Sequence, residues 1–250
     1  MADEHNQAQL MVAAYASRGK GFGFANLWSA ALNRAGARRV IGLDGVVAQE
    51  GNYQRSGFVT VHRNMRYRGV VPEEAKDASP PPEHASSQAS SADTPILSSS
   101  IRPVTATQVA LVEAIVEYDA ALFPAPRAPF VRAWLSSPGH MTLVALSQSF
   151  ERKVLGYVVT RPTRSGAYKI GPLFADSYTV ARALLAQTLQ ALPIGGFVFL
   201  DVPAANTAAC QLAAAHGWEK TFETLRMYRG EICSIDTTDR VWGITTFELG

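Results

Sequence analysis

The chain has 250 residues, 47% apolar and 18% charged, with a formal net charge of +2 and a mean hydropathy of +0.01. That length holds one large or two smaller domains, and that apolar share can bury a core, so wholesale disorder is excluded. No apolar run approaches the roughly 18 residues of a membrane span, and the N-terminal MADEHNQAQL, with two acids and no basic apolar stretch, shows no secretory signal. The charge is uneven: residues 1–72 carry +5, residues 73–100 carry −4 and residues 101–250 carry +1. A basic excess of that size suits a small anionic ligand and is too small to argue for nucleic acid. Cys210 and Cys233 cannot make a four-ligand metal site, and His5, His62, His84, His140 and His216 show no ligand spacing, so no metal is expected. A reduced, cytoplasmic protein is the simpler reading.

In chain order, the first element is an apolar strand, LMVAAYA (10–16), followed by the loop Arg18-Gly19-Lys20-Gly21-Phe22-Gly23. Phe24, Leu27, Trp28, Ala31, Leu32 and Ala35 then recur at helical spacing. The strand VIGLDGV (40–46), a helix-like stretch, Gly57-Phe58 and Tyr67-Arg68-Gly69 complete this part. Residues 73–100, rich in Ser, Ala and Pro, cannot repay their ordering entropy and read as a disordered linker. The second part opens with a helical stretch (Val109, Val112, Ile115, Val116) and the strands TLVALSQ (142–148) and VLGYVVT (154–160). It then repeats the first: strand YKIGPLFA (168–175), a helix through Ala181, Leu184, Leu185, Leu189 and Leu192, strand VFLDVP (198–203), Gly217-Trp218 and Tyr228-Arg229-Gly230. Each copy reads strand, helix, strand, helix, strand, an internal duplication whose first three elements imply a parallel pair with a crossover helix. The first copy has only nine residues ahead of its first strand and reads as starting in the middle of its fold.

The glycine loop carries the strongest chemical signal. Glycines let backbone approach a ligand closely, and a helix N-terminus presents unpaired N–H groups to phosphate, with Arg18 and Lys20 adding charge. A dinucleotide fingerprint is matched by Gly21, Gly23 and Asp44, but Asn26 stands where its third glycine belongs. A P-loop is excluded by the missing Gly-Lys-Ser/Thr. The third reading is the diphosphate loop of an acyl-CoA transferase.

R-G-K-G-F-G is similar to the Arg/Gln-x-x-G-x-G/A loop of the GNAT (Gcn5-related N-acetyltransferase) family, and Tyr53-Gln54-Arg55-Ser56-Gly57-Phe58 resembles that family's Y-x-K/R-x-G-F helix ending. FPAPRAPF (123–130), GYVVTRPTRSGAYKIGPLFAD (156–176), FLDVP (199–203), ETLRMYRG (223–230) and VWGITTFELG (241–250) resemble the C-terminal domain of a tandem GNAT subfamily. The resemblance implies an α/β (α+β) fold of two GNAT-like mixed-sheet domains. These are a partial one at 1–72, truncated at its N-terminus, and a complete one at 101–250, joined by the linker at 73–100. It implies an N-acetyltransferase using acetyl-CoA as co-substrate and a small-molecule or peptide amine as acceptor, with no nucleic acid or membrane partner. The pantetheine arm is expected along Met11 to Ala13, the diphosphate on the amides of Arg18, Gly19, Lys20, Gly21, Phe22 and Gly23, and Tyr53 is expected to act as general acid.

The second copy has no such loop. Asp176 or Ser177 reads as a helix N-cap, and the position matching Tyr53 is Ala213. Arg161, Arg164 and Ser165 sit near a strand end and are candidates for an anionic group, the alternative being a solvated hairpin turn. Asp119 and Arg127 read either as cleft residues or as a structural pair. A catalytically degenerate CoA-binding or interaction protein is the alternative to an enzyme, and a nicotinamide-dinucleotide enzyme is a third reading. The exposed edge of LMVAAYA needs covering, by the second domain or by another molecule, as in an oligomer.

Overall fold

In a computed structural model of the protein, residues 24–36, 39–73, 100–123, 125–149, 152–231 and 237–248 are described. The expected strand at 10–16, the loop 18–23 and nearly all of the expected linker lie outside them. The first part supplies α1 (Phe24–Ala35), β1 (Ile41–Val46), α2 (Glu50–Arg55) and β2 (Val59–Val70). The second supplies β3 (Ile101–Val104), α3 (Val109–Ala120), α4 (Ala128–Ser136), β4 (Met141–Leu146), β5 (Val154–Pro162), β6 (Tyr168–Ala175), α5 (Tyr178–Gln190), β7 (Phe197–Pro203), α6 (Thr207–Ala215), β8 (Glu219–Arg229) and β9 (Val241–Gly243).

The two expected sheets are one. Among the described residues, nine strands form a single mixed sheet in the order β1-β8-β2-β7-β6-β5-β4-β3, with β9 paired to β6. The reason is strand exchange between the halves. β2 of the first part lies between β7 and β8 of the second, antiparallel to both, and β8 in turn pairs with β1. Neither half closes its own sheet, so separating them would bare two long rows of unpaired backbone groups. β6 and β7 form the expected parallel pair.

The pairing is close to twofold symmetric about Asn64 and Thr224, which face each other across β2 and β8. Asp44 pairs with Arg226 across β1 and β8, and Asp201 with Arg66 across β7 and β2. By this register the counterpart of Arg66 is Arg226, and the counterpart of Tyr67 is Met227, not Tyr228. Aligning the two Tyr-Arg-Gly triplets is therefore off by one place, because Tyr67 follows Gly57 by ten residues and Tyr228 follows Gly217 by eleven.

One face of the sheet carries α5 and α6 on Val198, Leu200 and Val202, and α1 and α2 on Ile41, Leu43, Leu225 and Met227. The other face carries α3 and α4 on Val144, Tyr157, Val159 and Phe174. These last two helices stop short of β2, β8 and β1. That explains why β2, a central strand, reads VTVHRNMRYRGV, with polar side chains where no helix covers it.

Candidate active site

The helix–turn joining α2 to β2 is repeated between α6 and β8. Gly57 (φ +86°) and Gly217 (φ +69°) take left-handed backbone that L side chains resist, and each ends a helix. Phe58 N–H donates to the Tyr53 carbonyl at 3.1 Å, and Trp218 N–H donates to the Ala213 carbonyl at 3.2 Å. Tyr53 and Ala213 are thus structural equivalents, as their spacing from the glycines suggests.

Their surroundings differ by an exchange of volume. Tyr53 lies over Gly45, where a Cβ would come 2.6 Å from its Cε2. The matching pair in the second half is Ala213 and Val202, both fully buried. Gly45 is what lets a large ring lie across the end of β1. Trp28 of α1 also packs against that ring, with centroids 5.9 Å apart, and anchors itself by Nε1–H donating to Ser56 Oγ at 3.0 Å. α1 begins at Phe24, directly after Gly23, so the expected helix is present. Met11, Ala13, Arg18, Gly19, Lys20, Gly21, Phe22 and Gly23 themselves lie outside the described residues.

In the second half, the splay between β6 and β7 is filled by the protein itself. The two strands pair only from Tyr168–Ile170 with Val198–Leu200, and then β9 and the residues after it enter the gap. Ile244 N–H donates to the Asp201 carbonyl at 2.8 Å, and Trp242 Nε1–H donates to the Ala175 carbonyl at 3.0 Å. Asn206 Nδ2, at the start of α6, lies within hydrogen-bond distance of the carbonyls of Thr238, Asp239 and Val241. Ser177 caps α5 by accepting from Val180 N–H, and Asp176 pairs with Arg240 at 2.5 Å. An acid therefore stands directly before the N-terminus of α5, where it disfavours an anionic ligand. The tail leaves no spare room: a Cβ on Gly171 would meet the Ile244 carbonyl oxygen at 2.4 Å. Gly171→Ala is expected to destabilise the protein by about 1–3 kcal/mol through this overlap. Limited proteolysis should then cut faster at sites following Arg240, and an unchanged cleavage rate would mean that the tail is not seated in the splay.

Asp119 and Arg127 form a buried ion pair. Arg127 Nε and Nη2 donate to the two Asp119 oxygens at 2.8 and 2.7 Å, and Tyr157 OH donates to the same carboxylate at 2.5 Å. Arg127 Nη1–H also donates to Thr245 Oγ1, so the buried pair holds the tail in place. Burial and the Asp119 charge push the Tyr157 phenol well above its usual range.

On the sheet face left open by the helices lie two matched ion-pair groups. Asp44, its side chain fully buried, accepts from Arg226 Nη1 at 2.6 Å, Asn64 Nδ2 at 2.5 Å and Thr224 Oγ1 at 3.1 Å. Burial raises its pKa against these three partners. Asp201 accepts from Arg66 Nε and Nη2 at 2.7 and 2.9 Å and stands 2.5 Å from Lys169 Nζ. Burial acts to raise its pKa, but two cations more than offset it and hold the carboxyl below its ordinary value. Lys169 is lowered to about 8, first by burial and then by Arg66 and Arg161, with Asp201 opposing. A pocket of about 280 Å³ opens beside this group, lined by Arg66, Lys169, Phe199, Thr246 and Glu248 and by two of the anion-binding candidates, Arg161 and Ser165. Arg164 is exposed and not among its lining residues. Sequence reasoning missed Arg66 and Lys169. Arg66 had a signal: it follows Gly57 by the same nine residues that separate Arg226 from Gly217.

Residues 115–243 match the family model for the acetyltransferase (GNAT) domain, just over half of the protein. The holothin acyltransferase of Pseudoalteromonas sp. (strain SANK 73390) is 28% identical over 248 residues, covering 99% of this chain and 74% of that protein. A Pyrococcus horikoshii protein assigned as an acetyltransferase has a similar fold (TM-score 0.62, 22% identity), covering 95% of this chain and 68% of that one. A GCN5-related N-acetyltransferase from Sphaerobacter thermophilus has a TM-score of 0.50 at 15% identity, over 85% of this chain and 64% of that one. With the matched domain, the shared fold and the acyltransferase relative, the protein belongs to the GNAT family of acyltransferases, whose co-substrate is an acyl-CoA.

Proposed function

We propose that the protein is an acetyl-CoA-dependent N-acetyltransferase, cytoplasmic, built as a tandem pair of GNAT-like units of which only the first holds the acyl carrier. The supporting observation is the asymmetry between the two units: tail residues fill the splay of the second, and Ala213 stands there in place of Tyr53. When bound, acetyl-CoA supplies an activated thioester carbonyl. The amides and cations of residues 18–23 are assigned to its diphosphate, and the Tyr53 hydroxyl is assigned to donate a proton to the departing thiolate. The acceptor is an amine, and the relative named for acyl transfer to holothin supports acyl transfer as the reaction.

The test is calorimetric titration of the full-length protein with CoA, alongside thiol release from acetyl-CoA over a panel of amines. Gly21→Glu, which places an acid in the loop, is expected to abolish CoA binding, whereas Arg240→Ala, at the second unit, is expected to leave it intact. The reverse pattern would move the carrier to the second unit. A second reading, a degenerate CoA-binding protein, is favoured by the family match falling on residues 115–243, the half whose splay is filled. CoA binding with no thiol release for any amine would select it.

A further inference from the structure

The pocket beside Asp201 has a surplus of positive charge and a shape that suits a ligand. Lys169 is almost fully buried, with a side-chain exposure of 4%, and shares the single carboxylate of Asp201 with Arg66. Arg66 commits Nε and Nη2 to that carboxylate. Arg161 adds a third cation, stacked near the Trp134 ring at 5.5 Å, and its buried Nε–H has no acceptor among the described residues. No carboxylate pairs with Arg161 among those residues either, and Glu248, the one acid among the lining residues, is exposed and acts on Arg66. Three cations around one buried carboxylate leave a net charge that burial makes costly unless an anion completes it. The walls supply an apolar surface as well, the Phe199 ring, while the Thr163 hydroxyl donates to the Ala167 carbonyl and stands 2.9 Å from Ser165 Oγ, which fixes the hairpin beside the cations.

We propose that this pocket is a binding site, separate from the acyl-carrier site, for the carboxylate or phosphate group of a small ligand, held by Arg161, Arg66 and Lys169. A guanidinium with a free edge favours a planar or tetrahedral oxyanion over a halide, because it offers parallel N–H donors. The volume admits a ligand of a few heavy atoms beyond the anionic group. Tail residues Thr246 and Glu248 close one side, so the segment that fills the splay of the second unit also shapes this pocket.

The full-length protein is to be titrated calorimetrically with inorganic phosphate and, separately, with succinate, at ionic strength held constant with sodium chloride. One of the two is expected to saturate at one site per molecule, and which one does identifies the class of anion. Arg161→Gln is expected to weaken that binding by about tenfold or more, the loss of a charge-assisted contact, with an unchanged melting temperature. Arg161→Lys should retain most of the affinity. Lys169→Met tests the buried cation, and if it fails to fold, the half-buried Arg161 carries the test alone. No binding above the chloride control overturns the proposal, as does binding that Arg161→Gln leaves unchanged. Competition by CoA would assign these cations to the carrier and overturn the claim of a separate site.

Discussion

Alanine in place of Asp201 is expected to destabilise the fold by about 3–5 kcal/mol, the range for removing one partner of a buried ion pair. The carboxylate has no exposed surface and takes three cationic contacts, from Arg66 Nε and Nη2 and from Lys169 Nζ. Without it, Lys169 is a buried ammonium beside two guanidinium groups. A large part of the loss should be recovered in Asp201→Ala/Lys169→Met, which removes the stranded charge along with its partner. The pH dependence distinguishes the two groups. Asp201 has its pKa lowered in the folded protein, so it contributes stability above the ordinary carboxylate range, and that contribution is lost as pH falls through its folded value. Lys169 is lowered from 10.5 to about 8, so between those values the unfolded protein binds more protons than the folded one, and stability rises with pH across that window. Chemical denaturation at about pH 7, then in steps through the acidic carboxylate range and up past the lowered lysine value, reads all three effects. A loss below about 1 kcal/mol for Asp201→Ala, the range of an exposed pair, would mean that the three groups are not joined in the folded protein.

The same ion pairs show what a linear reading of the sequence can reach. Asp44 and Asp201 stand out because each lies in a matching strand, and most of the strands, with α1, α3 and α5, are legible from their apolar periodicity. Both Gly-aromatic turns are legible as well, since the left-handed turn demands glycine. The exchange of β2 and β8 is not, because pairing partners some 160 residues apart in number leave no local periodicity. A central strand with polar residues on one face looks like a free edge until the partner is known. Three elements go unread for separate reasons. β3 is four residues long and contains a proline, α4 starts inside a proline-rich run, and β9 is three residues long, held chiefly by what it fills. For the same reason the filled splay of the second unit cannot be foreseen: the missing loop is visible in the sequence, but the segment that takes its ligand's place lies some seventy residues downstream. In the candidate pocket, Arg161 and Ser165 are legible as a hairpin with anion-binding residues. Lys169 reads as one polar residue in an apolar strand, and only the fold sets it against Asp201.

Tyr53→Phe is expected to lower the turnover of acyl transfer by about 10²-fold or more, the ordinary contribution of a positioned general acid, with little change in the affinity for acetyl-CoA. The substitution keeps the ring that packs on Trp28 and over Gly45 and removes only the hydroxyl, which makes no hydrogen bond among the described residues. The melting temperature should therefore hold. Gly45→Val offers an independent approach to the same atom. It places at the end of β1 the residue type found at Val202, and since even a Cβ there would come 2.6 Å from the Tyr53 ring, the ring must move. Turnover should fall as the hydroxyl leaves its position, with Tyr53 chemically intact, and the second change should then matter little: Gly45→Val/Tyr53→Phe should be close to Gly45→Val alone, because two changes that remove one interaction do not add. Steady-state kinetics of the three variants, with thiol release as the readout, decide the matter. Full turnover in Tyr53→Phe would take the proton donor away from this residue. A loss confined to KM would make Tyr53 a binding residue, and additive losses in the double variant would mean that Gly45 acts on the reaction by a route other than the ring it accommodates.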